Sequence, residues 1–181
     1  MSLSRLLSFA MLQLKYLQAY SPALQDRVRA LIAQDQLGIH LAQRYPARHA
    51  VQTDKALYLY ANEIKQMFLR NAPAVDKVVY DSKLDLIHQA LGLNTAISRV
   101  QGGKLKAKKE VRIASLFKEG PPEFLRMIVV HELAHLKERE HSKAFYQLCE
   151  YMQPGYAQLE FDLRLYLTQR DLLKQVQVLV S

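Results

Sequence analysis

The chain of 181 residues has a single cysteine, Cys149, and no tryptophan. One thiol cannot form an intrachain disulfide, so the class of small secreted domains held by covalent staples is excluded. Glycine and proline are scarce, six of each, which rules out collagen-like and low-complexity chains. No stretch approaches the ~20 consecutive apolar residues of a membrane-spanning helix. Acid is short as well: 17 Asp and Glu stand against 25 Lys and Arg, a formal charge of +8. That balance favours anionic partners without choosing among nucleotide, nucleic acid and acidic peptide. What is plentiful is apolar side chain, 50% of all residues. The length therefore supports one real hydrophobic core.

Met1 to Arg5 followed by an apolar stretch has the outline of a signal peptide. Ser8 and Gln13 interrupt the stretch and no small-residue cleavage site follows, so a cytoplasmic protein is expected. Leu3, Leu7, Met11 and Leu14 recur instead as on one side of a helix. Ser21-Pro22 opens a first clear helix striped by Leu24, Val28, Leu31 and Ile32, with Gly38 expected to end or bend it. Thr53 opens a second, striped by Leu57, Tyr60, Ala61, Ile64 and Phe68. Residues 77–80, 95–100 and 110–116 read as strands. Lys104, Lys106 and Lys108 alternate beyond the turn Gln101-Gly102-Gly103; on a strand they share one face, either a guarded edge or a positive lip for an anionic ligand. A strongly apolar helix is predicted from Glu123 to about Lys137. Another, capped by Ser142, carries Phe145, Leu148, Cys149 and Met152 on one side, and a last one covers about 158–174. The pattern is α+β.

Chemistry concentrates in one place. Three of the six histidines lie in His131-Glu132-Leu133-Ala134-His135-Leu136-Lys137-Glu138-Arg139-Glu140-His141. Composition alone yields His-Glu-x-x-His about 0.01 times in a chain like this. The apolar run Met127-Ile128-Val129-Val130 before it reads as buried helix, where ionisable groups are rare unless paired or bound to metal. Four residues along a helix turn about 400°, leaving His131 and His135 about 40° apart and one turn apart in height, so both reach one Zn²⁺. Glu132 projects about 100° from His131, beside the metal, where it can take a proton from the zinc's water. His141 is the candidate third ligand, with one zinc expected per chain. A continuous helix would carry its backbone about 15 Å from His131, so the helix must break between His135 and His141, although no Gly announces the turn. Cys149 is a conceivable fourth ligand, but its place on an apolar stripe favours packing. His40, His49 and His88 stay unassigned.

The run from Met127 to Leu136, with His141-Ser142-Lys143-Ala144-Phe145 after it, resembles the YgjP-like metallopeptidase family, as does the segment from Leu93 to Ala107. The likeness covers about residues 17–168. It implies a small zincin-like domain, with an active-site helix packed on a short sheet and flanked by further helices. It also implies a metal-dependent hydrolase in which His131, His135 and His141 bind zinc and Glu132 is the catalytic base. Residues 1–20 are then an N-terminal helical extension and 21–181 a single metallohydrolase domain. One departure stands out. Many members carry Arg-Trp-Gly-Ser-Cys where this chain reads Arg99-Val100-Gln101-Gly102-Gly103, so the family's substrate groove need not transfer.

Three functions follow in order of expectation. The first is a zinc metallopeptidase whose substrate strand pairs with a sheet edge near residues 111–116. The second is hydrolysis of a phosphoanhydride, such as a nucleoside triphosphate, with Lys104, Lys106 and Lys108 or Arg99 neutralising the phosphates. The third is a zinc-stabilised binding module without catalysis, for which no nucleic-acid motif speaks. A second electrophile beside the metal is expected among Tyr146, Tyr151, Tyr156 and Arg99. The substrate is thus a peptide or small anion; no membrane partner is expected, and oligomeric state is not legible.

Overall fold

The computed structural model describes residues 14–84 and 109–180. Six helices and one short sheet make up the described chain: α1 Pro22–Ala33, α2 Gln36–Arg44, α3 Asp54–Phe68, β1 Lys77–Asp81, β2 Glu110–Ala114, α4 Pro122–Ala134, α5 Lys143–Met152 and α6 Tyr156–Val180. This is an α+β architecture. Two compact units divide it, one comprising Met1–Pro46 with Phe161–Ser181, the other Ala47–Glu160. The expected N-terminal helix falls almost wholly, and the strand at 95–100 entirely, outside the described residues. None of the described helices is long and apolar enough to cross a membrane.

In the first unit Ser21 caps α1, its hydroxyl accepting from the Leu24 N–H, and Pro22 occupies the first helical position. Val28 and Ile32 of α1, Leu37 and Leu41 of α2, and Leu163 and Leu167 of α6 are buried. Gly38 does not end a helix, contrary to expectation; it lies inside α2. The break falls three residues earlier, at Asp35, whose φ of 55° is left-handed. Asp tolerates that region better than most residues because its short polar side chain can bond locally. Gly38 answers to a neighbour instead: a Cβ there would meet the Gln169 amide nitrogen at 3.0 Å. Asp162, 1% exposed, accepts from the Tyr45 hydroxyl and pairs with Arg44 Nε at 3.1 Å.

In the second unit Thr53 caps α3 as its sequence requires, accepting from Ala56 N–H at 3.1 Å. The adjacent Asp54 accepts from Tyr80 N–H at 2.9 Å, tying α3 to β1. The strands pair in parallel, Lys77 opposite Glu110 through Asp81 opposite Ala114. β2 stops sooner than expected, because Ser115–Lys118 tightens into a 3₁₀ turn. His49 bridges this turn: its Nδ1 accepts from Val51 N–H at 3.2 Å, so Nε2 donates to the Phe117 carbonyl at 2.7 Å. α4 packs against β2, α3 and α5. Phe124, Leu125, Met127, Ile128, Val129, Val130 and Leu133 are all buried, so this helix is covered on every side, as its unbroken apolar run implies.

Candidate metal centre

The last turn of α4 carries His131, and its C-cap is His135. Their ring centroids lie 5.0 Å apart, as four-residue spacing on a helix requires. The helix then stops. Leu136 and Lys137 direct their N–H groups to the Leu133 and Ala134 carbonyls, both at 3.0 Å, the tighter turn that commonly closes a helix. Ser142 begins α5, its hydroxyl accepting from Phe145 N–H. Of the described residues other than glycine, only Asp35 has positive φ, so the reversal between α4 and α5 needs no left-handed residue. It returns His141 to within 5.0 Å of the His131 ring and 4.9 Å of the His135 ring.

One ring nitrogen from each of His131, His135 and His141 lies within 4.8 Å of the others. Two of the rings are oriented by bonds at their far side. His135 Nδ1 lies 3.0 Å from the Glu138 carbonyl; a carbonyl only accepts, so Nδ1 carries the proton and Nε2 keeps its lone pair. His131 Nδ1 lies 2.6 Å from the Tyr156 hydroxyl, and its Nε2 is 3.1 Å from His141 Nε2. Two nitrogens on one tetrahedral zinc ion stand about 3.3 Å apart, so the residues fit a metal in donor type, number and spacing. Among the described residues, no other carboxylate or thiol joins this group.

Phe145 supplies its floor. The ring sits 5.0 Å from His131, 4.6 Å from His135 and 4.7 Å from His141. Read from sequence it is one more apolar residue on the α5 stripe, and nothing in its spacing marks contact with all three imidazoles. Burial, followed by the neighbouring His135 and His141, pushes His131 down to about 3. His141 is lowered by burial and then by His135, with Glu160 and Glu140 acting the other way. His131 is therefore neutral at ordinary pH, the form that binds metal.

Glu132 follows His131 on α4 and is half-buried. Of the tyrosines considered as a second electrophile, Tyr146 is 40% exposed with its ring 6.3 Å from His141. Tyr151 is 66% exposed and meets Phe68 edge-on at 5.5 Å. Tyr156 is 1% exposed, with its hydroxyl on His131. Cys149 is wholly buried, and burial pushes its thiol up to about 12. Arg99, Lys104 and Lys106 lie outside the described residues.

Three converging imidazoles beside a glutamate, at the end of a buried helix, are the arrangement of a metal-binding hydrolase. The chain belongs to the YgjP-like family: the model of the YgjP-like metallopeptidase domain matches residues 39–166. A protein named UTP pyrophosphatase from Escherichia coli (strain K12) is 60% identical over 162 residues, covering 90% of this chain and 97% of that protein. No solved structure matches the chain.

Proposed function

We propose that this protein is a zinc-dependent hydrolase of nucleoside triphosphates that cleaves the anhydride between the α- and β-phosphates. The observation that carries the substrate class is the 60% identity, over nearly the full length of both chains, to a protein named UTP pyrophosphatase. His131, His135 and His141 would hold the metal. A bound Zn²⁺ supplies Lewis acidity, polarising a phosphoryl oxygen and acidifying water. Glu132 takes the proton from the attacking water as its oxygen bonds to the α-phosphorus. The bond from that phosphorus to the bridging oxygen breaks, and pyrophosphate leaves with the electron pair. Arg99, Lys104 and Lys106 neutralise the triphosphate, and the net charge of +8 draws the anion in. The reading sets the protein in the cytoplasm, where such substrates are held.

A second reading, peptide hydrolysis by the same centre, is favoured by the metallopeptidase description of the family. One experiment separates the two. The purified, zinc-loaded chain is assayed on UTP, on other nucleoside triphosphates and on a peptide library, with products resolved by chromatography. Release of UMP and pyrophosphate with intact peptides supports the first reading. Cleaved peptides with intact UTP replace it with the second.

A further inference from the structure

The bond between His131 Nδ1 and the Tyr156 hydroxyl is short, 2.6 Å, and both groups are buried, 6% and 1% exposed. A histidine that turns its Nε2 lone pair toward a metal carries its proton on Nδ1, and that N–H needs an acceptor. Tyr156 Oη is placed to be that acceptor. The tyrosine is itself held. Glu150 accepts from Gly155 N–H at 2.7 Å through one carboxylate oxygen and from Tyr156 N–H at 3.0 Å through the other. Gly155 makes the grip feasible with a φ of +79°, which glycine adopts without strain. The two rings, with centroids 6.4 Å apart, lie only 19° from parallel, so the hydroxyl meets the imidazole nearly in its own plane, where the Nδ1–H points.

We propose that Tyr156 is the positioning residue of the metal centre: its hydroxyl oxygen accepts a hydrogen bond from His131 Nδ1–H and thereby locks His131 in the tautomer whose Nε2 lone pair faces His135 and His141. The proposal rests on the metal-binding reading of the site and is independent of the substrate. Glu150 is the outer support, acting on the backbone from which Tyr156 projects. Tyr156 thus touches neither substrate nor reacting atoms. Its contribution is to metal retention and ring orientation.

The test uses the full chain and zinc itself. Competition against a chromophoric chelator should show Tyr156→Phe binding zinc about 10–100-fold more weakly than wild type. Glu150→Gln should show a smaller loss. Metal-free Tyr156→Phe should still unfold cooperatively, because the ring is retained, with a midpoint lowered by the loss of one buried hydrogen bond. Long-range ¹H–¹⁵N spectra of the metal-free wild type should show His131 protonated at Nδ1, and Tyr156→Phe should mix the two tautomers. Wild-type zinc affinity in a folded Tyr156→Phe overturns the proposal. So does a wild-type His131 protonated at Nε2, a result that needs no variant to fold. A wild-type chain that binds no zinc overturns the metal reading itself, and the tautomer spectrum still decides the Tyr156 bond.

Discussion

Tyr45 in one compact unit and Tyr156 in the other each bury a hydroxyl against a polar partner, and they do different things. In the first unit Tyr45 donates to Asp162, whose carboxylate also pairs with Arg44. There a hydroxyl and a guanidinium close on one buried carboxylate, a charge answered by the opposite charge. In the second unit Tyr156 meets only one nitrogen of His131, and the other faces two further imidazoles. Among the described residues, no carboxylate or thiol joins those three rings. A polar cluster becomes a site when its internal bonds leave capacity pointing at one shared place. Burial alone does not make one, because both clusters are buried.

The largest effect that tests this contrast is catalytic. Glu132→Gln should lower turnover of the true substrate by about 10²–10⁴, the range for losing a general base. Zinc content and far-ultraviolet circular dichroism should stay as in wild type, because the amide is isosteric and Glu132 is proposed as base and not ligand. Full activity in the variant would return Glu132 to a structural role.

Next in size is the closed cluster. Asp162→Ala removes the acceptor of a buried hydroxyl and of a charged donor, and should cost about 2 kcal/mol in urea unfolding. Zinc affinity should not move. A variant that loses zinc and keeps stability would reverse the roles assigned to the two clusters.

Acid gives a graded third test. His131 is lowered from the ordinary 6.5 to about 3 in the folded chain, so between those values the unfolded chain binds the extra proton. Metal-free protein is thus at full strength from this group above pH 6.5 and loses stability as pH falls toward about 3. Thermal midpoints at pH 7, 6, 5 and 4 should decline, and His131→Phe should flatten that decline. An unchanged slope in a folded variant would locate the acid sensitivity elsewhere.

The smallest effect is an absence of reaction. Burial holds the Cys149 thiol up at about 12, so at pH 8 the nucleophilic thiolate is rare and shielded. Iodoacetamide should leave the folded chain unlabelled, by mass spectrometry, and label it fully in urea.

Where local chemistry decides, the sequence was legible. Thr53 and Ser142 cap helices because a hydroxyl before an apolar period satisfies an orphan N–H. The break before His141 follows from geometry, since no side chain spans the length of a continuous helix. β1 is recognisable by its β-branched residues. The misreadings fall where a distant neighbour decides. Gly38 reads as a terminator but sits inside α2 against Gln169. β2 yields to a 3₁₀ turn whose carbonyl His49 binds. At the site, the three histidines and the glutamate announce themselves by spacing, whereas the groups that orient them do not. Glu138 contributes a backbone carbonyl, which every residue has, and Tyr156 comes from another helix 25 residues on.

Three imidazoles converge as donors for one metal ion, and the metal content of the purified chain is the check. Wild-type protein, purified without chelator and dialysed against metal-free buffer, should contain about one zinc per chain by plasma mass spectrometry. The double variant His131→Ala, His135→Ala should contain almost none. Equal zinc in the two would mean that these imidazoles do not hold the metal.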